Sequence, residues 1–331
     1  MTLINGIEID NITYYKNDEK SAIENNEPIE EKLHVIAVVS NPCLYAKRYI
    51  LMKEFIKRIE LEEKNVNLYI VELAYKNQNF IITDKNNKQH LQLRTDCPLW
   101  HKENMINLGV KYLLPDNYKA FAWIDADIEF ENNTWALDTL KILNGTRDIV
   151  QLFSHVVDMD KNRLTMNVFN SAGYQYAKRN NYCSAGGNQN YWHPGYAWAI
   201  TRKAYEKIGG LYDKGILGPG DNIMLCCLLK EKMGPCLVNN NKDAIQSVVE
   251  YEKKMENIKL GYVPGVIRHY YHGSKKNRFY VERNSILVKH NFSPYTDITY
   301  DDIGIIIPTQ NFSEDFKKDI YNYFQSRNED E

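Results

Sequence analysis

A chain of 331 residues, 44% apolar and 12% aromatic, is long enough for one large core or two smaller ones and has the composition of a soluble globular protein. Its formal charge of −2 gives no reason to expect a sequence-independent grip on DNA or RNA, which needs a basic surface to neutralise phosphates, so any phosphate chemistry is expected to be local. The six cysteines, Cys43, Cys97, Cys183, Cys226, Cys227 and Cys236, show neither zinc-ribbon spacing nor the density of a disulfide framework, so reduced thiols are expected.

The opening MTLINGIEIDNITYYKNDEK lacks the basic start and apolar run of a secretory signal, and no segment reaches the roughly 20 apolar residues of a bilayer span. A cytoplasmic protein with no membrane span is expected. Residues 1–32 carry no period and end in the charged run ENNEPIEEK, the pattern of an N-terminal extension. LHVIAVVS, Leu33 to Ser40, is a continuous β-branched run of the kind buried on both faces, and NPCLY breaks it. From Tyr45, apolar residues at Tyr49, Met52, Phe55 and Ile59 recur at helical spacing. VNLYIVELAY, Val66 to Tyr75, is a second strand, KQHLQLRT a third, and HKENMINLGVKYLL a helix stopped by Pro115. A fourth strand, FAWIDADIEF, carries Asp125 and Asp127.

Strand–helix alternation over roughly the first 130 residues implies an α/β fold with a mostly parallel sheet flanked by helices, in which ligands bind beyond the carboxyl ends of the strands. The reading is one domain over residues 33–302, with a regular first half (33–130) and a less regular second half (131–302) that looks like the region shaping an acceptor pocket. The second half holds the loop CSAGGNQNYWHPG, a helix near Thr201–Ile208, and a glycine-rich turn feeding NIMLCCLLKEKM. Residues 303–331 read as a C-terminal helix and an acidic tail, SRNEDE, expected to fray.

In an extended chain, residues i and i+2 share a face, so Asp125 and Asp127 are expected side by side. Paired carboxylates suit Mn²⁺ or Mg²⁺, ions that complete their shells with water and substrate phosphates. A plainer reading makes one of them a cap and the other solvated. Two later segments bear on the choice. RHYYHGSKKNRFYVERN places His269 and His272 ahead of Lys275, Lys276, Arg278 and Arg283. An imidazole can join two carboxylates around a metal, and fixed cations can neutralise a departing diphosphate; the alternative is a solvated basic loop. GGLYDKGILGPGDNIML places Asp221 after Gly218, Pro219 and Gly220 at a helix start, where it could equally be an N-cap.

The order of these three segments resembles that of a GT-A fold glycosyltransferase, the metal-dependent, nucleotide-sugar-using type with a D-x-D motif. The likeness covers roughly Leu33 to Asp302, matching Asp125 and Asp127, then Gly220-Asp221, then His272. LWHKENMINLGVKYLLP and WHPGYAWAITRKAY…GGLYDKGILGPGD are similar to the corresponding parts of such enzymes. One departure stands out: many inverting members carry Glu-Asp where this chain has Gly220-Asp221, leaving one carboxylate.

The resemblance implies a hexose-type sugar moved from a nucleotide donor, UDP-linked, to a hydroxyl of a glycan, protein or small-molecule acceptor. It implies Mn²⁺ (or Mg²⁺) held by Asp125, Asp127 and His272, diphosphate contacts from Lys275, Lys276 and Arg278, and Asp221 as the base of an inverting reaction. Ser40, Asn41, Glu72 and Lys102 are candidate contacts to the nucleotide, each with a plainer reading as an ordinary polar residue. Trp192, His193 and Gly220 are assigned to the acceptor side, with Trp198 assigned to the core. A retaining transferase, a sugar-1-phosphate nucleotidyltransferase and a non-catalytic glycan-binding module are the competing readings. The second usually has an early glycine-rich signature loop, which SNPCLYAKR does not supply, and the third predicts damage to the metal set.

Overall fold

The structure, a computed structural model, describes residues 3–4, 7–8, 18–179, 181–182, 191–233, 241–279 and 282–331. Residues 183–190 of the glycine- and asparagine-rich loop, with Cys183, and also Cys236 lie outside the described residues. The described cysteines, Cys43, Cys97, Cys226 and Cys227, are free.

Two continuous apolar runs make the centre of the main sheet. β1 (Leu33–Ser40) and β2 (Val66–Tyr75) pair in parallel, Leu33 opposite Val66 and Ser40 opposite Leu73. β3 (His90–Thr95) extends the sheet beside β2, and β4 (Ala120–Ile124) lies parallel on the other edge of β1. The chain then leaves for a second sheet as β5 (Ile128–Phe130) and returns as β6 (Ile149–Gln151). β7 (His155–Met159), β8 (Thr165–Ser171) and β9 (Trp192–His193) belong to the second sheet, and β10 (Ala197–Thr201) and β11 (Leu260–Tyr262) to the first. β12 (Val266–His269) closes the second sheet between β7 and β5.

The main sheet runs in the order β11-β6-β10-β4-β1-β2-β3, and the second in the order β9-β8-β7-β12-β5. Only β10 is antiparallel to its neighbours in the main sheet, so the expected α/β architecture with a mostly parallel central sheet flanked by helices is present. Alternation along β1 sends Ile36 to one face and Val35 and Ala37 to the other. Ile36 packs with Met105 and Ile106 of the helix Lys102–Leu113, whereas Val35 and Ala37 pack with Phe55 and Trp135 of the helices Ala46–Glu62 and Trp135–Leu143. Trp198 stacks on Trp123 in this core at 6.5 Å between ring centroids, as assigned.

Both ends of the chain depart from expectation. Residues 18–25, read as part of an extension, form a helix against Trp135–Leu143, with Ala22 in the core and the fully buried Glu19 bonded to Arg147 at 2.8 Å. The end of the chain does not fray. The helix Glu314–Ser326 buries Phe316, Ile320, Tyr323 and Phe324, and beyond it Glu329 is 1% exposed, on Arg48 and Arg327. Charge alone suggested a solvated tail, but Glu329 meets Arg48 and Arg327, and Asp330 meets the amides of Ala46 and Lys47. Among the described residues no helix is long and apolar enough to cross a membrane.

Candidate active site

The strand expected over residues 121–130 is two strands in two sheets. β4 ends at Ile124 and β5 begins at Ile128, so Asp125, Ala126 and Asp127 form the turn by which the chain changes sheet. The i, i+2 argument therefore does not apply, because the backbone between the two carboxylates is not extended. Both still line one cavity of about 190 Å³, but each engages a different group.

Asp127 faces two histidines. β12 pairs antiparallel with β5, His269 opposite Ile128, and the Tyr270 N–H donates to the Asp127 carbonyl at 2.7 Å. That register sets His269 Nε2 3.6 Å and His272 Nε2 2.7 Å from Asp127 Oδ2. One ligand atom from each of Asp127, His269 and His272 lies within 4.8 Å of the others. Asp127 Oδ1 is buried and has no hydrogen-bond partner among the described residues, an uncompensated acceptor of the kind a cation satisfies. Burial would raise the Asp127 carboxyl, yet His272 and His269 hold it well below the usual carboxylate range. The set thus differs from the expected one by including His269, with Asp125 outside it.

His269 is itself oriented. Its Nδ1 meets Asp158 Oδ1 at 2.6 Å, and the other Asp158 oxygen receives Lys275 Nζ at 2.5 Å. Burial opposes charge on this ring, but Asp127 and Asp158 together raise its pKa. Lys275 also lies over the Phe169 ring, 4.8 Å from its centroid.

Asp125 belongs to a second set. Lys102 Nζ, at the start of the helix Lys102–Leu113, lies 2.6 Å from Asp125 Oδ1 and 3.1 Å from Asp221 Oδ2. Burial pushes the Asp125 carboxyl up to about 6 against the pull of Lys102, with Asp127 and Asp221 adding to the rise. Lys102, a candidate nucleotide contact, is thus the link between the D-x-D turn and Asp221. Asp221 is in the first turn of the helix Gly220–Leu228 and lines a larger cavity of about 650 Å³. The two cavities share Trp100, Lys102, Asp125, Tyr196, Arg278 and Arg327.

Gly220, expected on the acceptor side, lines neither of these two cavities. A Cβ there would sit 2.1 Å from Glu103 Oε1, so any larger residue would require the Glu103 side chain to move. Glu103, from the helix Lys102–Leu113, thus lies beside Gly220. Burial, then the nearness of Asp221, push the Glu103 carboxyl up to about 8 against Lys102.

The remaining candidates divide. Ser40 lines the smaller cavity, its carbonyl accepting from Arg48 at 2.6 Å. Asn41 is 1% exposed and closes its own turn by bonding both N–H and carbonyl of Tyr45. Glu72 is buried and accepts from the amides of Ile81, Ile82 and Thr83 and from the Thr83 hydroxyl, so it anchors a loop. Arg278 lies against His272, 2.8 Å from Nε2, and lines both cavities, whereas Lys276 is exposed and lines neither. Trp192 is 1% exposed in the core, since β9 pairs with β8 and turns it inward. His193 does line the larger cavity, stacked on Tyr196 at 4.2 Å, with burial and then Lys275 pushing its pKa down to about 3.

Residues missed from the sequence are His269 as a member of the set, Asp158, Glu103, Trp100, Arg48, Arg327 and Glu329. Asp158 had a signal, a lone carboxylate in the apolar strand HVVDM. Arg327 and Glu329 had none, being part of an ordinary charged run.

No known protein family's sequence profile matches the chain, and no curated protein matches it by sequence. Among solved structures it is similar to a Drosophila β-1,4-galactosyltransferase 7 variant in complex with manganese, UDP-Gal and xylobiose (10% identity, TM-score 0.39, 84% of this chain and 93% of that one). A mannosyltransferase of Pyrobaculum calidifontis with GDP-Man and Mn²⁺ is similar at 11% identity and TM-score 0.42, over 93% of this chain and 78% of that one. A protein described as a glucose-1-phosphate thymidylyltransferase of Bacillus anthracis, with sucrose, is similar at 9% identity and TM-score 0.37, over 71% and 88%. Likenesses this distant do not identify a function for this chain.

Proposed function

We propose that the protein is a metal-dependent glycosyltransferase of GT-A type that moves a hexose-type sugar from a UDP-linked donor to an acceptor hydroxyl with inversion. The observation that carries this reading is the Asp127–His269–His272 set, with its uncompensated Asp127 oxygen, in a cavity also lined by Lys102, Arg278 and Arg327. Two imidazoles and a carboxylate favour Mn²⁺ over Mg²⁺, which prefers an all-oxygen shell. The same ligands also suit Fe²⁺, but the guanidinium and ammonium groups around them fit a diphosphate.

Asp127, His269 and His272 would hold the ion, which supplies Lewis-acid stabilisation of a departing nucleoside diphosphate. Arg278, beside His272, is placed to hold diphosphate oxygens by charge-assisted hydrogen bonds. Asp221 faces the larger cavity and takes the proton of the acceptor hydroxyl as that oxygen attacks the anomeric carbon from the side opposite the diphosphate. Lys102 ties Asp221 to the donor side through Asp125, fixing acceptor and donor groups relative to one another. Phe169, Tyr191 and Trp100 give the larger cavity the flat apolar walls that suit a sugar face. A retaining course would use the same metal set, and proton NMR of the first-formed anomeric linkage separates the two.

The test is a panel of UDP- and GDP-sugars scored by thermal shift and by slow donor hydrolysis, with Mn²⁺, Mg²⁺ and Fe²⁺. A Mn²⁺-dependent response to a UDP-sugar is expected. No response to any nucleotide sugar in any metal would overturn the reading.

A further inference from the structure

The site has a wall that comes from the far end of the sequence. Residues 327–331 follow the helix Glu314–Ser326 and lie across the start of the helix Ala46–Glu62, a helix with no side-chain cap from its own N-terminal flank. Asp330 serves instead, its carboxylate accepting from the amides of Ala46 at 3.0 Å and Lys47 at 2.8 Å. Tyr45 donates to the carbonyls of Phe324 and Gln325 and accepts from the Asn328 amide. On the other side the backbone presses on Gly273, where φ is +86° and a Cβ would lie 2.9 Å from the Asn328 carbonyl oxygen and the Glu329 Cα. The segment is thus clamped between the helix after β1 and the loop that carries His272.

Its chemistry points into the cavity. The Arg327 side chain is 5% exposed, lies with Cζ 5.2 Å from the Trp100 ring centroid, and is among the few residues that line both cavities. Its Nε donates to Glu329 at 2.6 Å and Nη1 to the Tyr323 hydroxyl at 3.2 Å, leaving Nη2 without a hydrogen bond among the described residues. Glu329 is shared, because Arg48 also bonds both of its oxygens. One carboxylate thus serves the buried Arg327 guanidinium and the half-buried one of Arg48, and of the two it is Arg327 that lies where the donor cavity opens into the larger one. Burying a guanidinium is costly unless a counter-charge meets it. Stacking on Trp100 and the bond to Glu329 fix the orientation of the fork in advance, as recognition of a phosphate requires.

We infer that Arg327 is a diphosphate-binding residue of the donor site, held in place by Glu329, Trp100 and the docking of residues 327–331. The inference rests on the nucleotide-sugar reading above and adds to it a residue outside the D-x-D, histidine and Asp221 segments.

The experiment compares the intact protein with Arg327→Gln and Arg327→Lys, measuring Mn²⁺ alone by electron paramagnetic resonance and UDP and GDP in saturating Mn²⁺ by calorimetry. Arg327→Gln is expected to raise the nucleoside diphosphate Kd at least tenfold while leaving the Mn²⁺ Kd within twofold, with Arg327→Lys between the two. Nucleotide affinity unchanged in Arg327→Gln overturns this inference and leaves the transferase reading intact. Should Arg327→Gln lose both ligands, recovery of nucleotide binding in Arg327→Lys supports the inference, and its absence overturns it. An intact protein that binds neither nucleotide overturns both readings together.

Discussion

His269 Nδ1 lies 2.6 Å from Asp158 Oδ1, with both side chains buried, and this bond leaves Nε2 facing Asp127. A carboxylate behind a histidine sets the tautomer and strengthens the other nitrogen as a ligand. Lys275, expected at the diphosphate, grips the second Asp158 oxygen and so supports the orientation of the histidine.

Replacing Asp158 by Asn is expected to weaken Mn²⁺ binding by about 10–100-fold, the range found for outer partners of metal-bound histidines. Calorimetric titration of Mn²⁺ checks it, and an unchanged Kd would show that His269 needs no such partner.

The two aspartates of the D-x-D turn are expected to behave differently. Asp127→Asn removes a member of the Asp127–His269–His272 set and should abolish measurable Mn²⁺ binding. Asp125→Asn should leave Mn²⁺ alone nearly as tight, because Asp125 is engaged with Lys102. Equal losses in both variants would return Asp125 to the metal.

Asp221→Asn is expected to lower transfer by about 10²–10⁴-fold, the usual contribution of a general base, with nucleotide affinity within a few-fold of the parent. Single-turnover transfer alongside UDP titration separates the two effects. An active variant would remove Asp221 from the base role.

Glu103 makes stability pH-dependent. Burial, with Asp221 nearby, lifts its carboxyl to about 8, from about 4.3 in an unfolded chain. Between these values the native state keeps a proton that the unfolded state has lost, so this group's contribution to stability falls as pH rises through that window. Glu103→Gln should flatten the fall, with a Tm gain over the parent that is larger at pH 8.5 than at pH 5. Thermal denaturation at the two pH values checks the sign.

Much of the scaffold was legible in the chain. β1 and β2 begin and end where their apolar runs do, because a strand covered on both faces is mostly apolar along its length, with His34, Asn67 and Glu72 as the interior exceptions. The helix Lys102–Leu113 stops before Pro115, within a residue of the expected end. The same reasoning misread the D-x-D segment, where FAWI and IEF look like one strand but pair in different sheets. Glu72, read as a candidate nucleotide contact, accepts from the amides of residues 81–83 folded over it, partners that its own strand does not announce.

What the sequence determined by itself was the first strands and helices of the main sheet and the neighbourhood of the site, since periodicity and turn residues act over a few positions of chain. Only the tertiary structure decided which groups meet. The β5–β12 register puts His269 beside Asp127, helix packing sets Glu103 against Gly220, and ion pairs to Arg48 draw Glu329 into the cavity wall. Those partners lie far apart along the chain, and their meeting depends on strand register, close packing and charge pairing, none of which is written in local spacing.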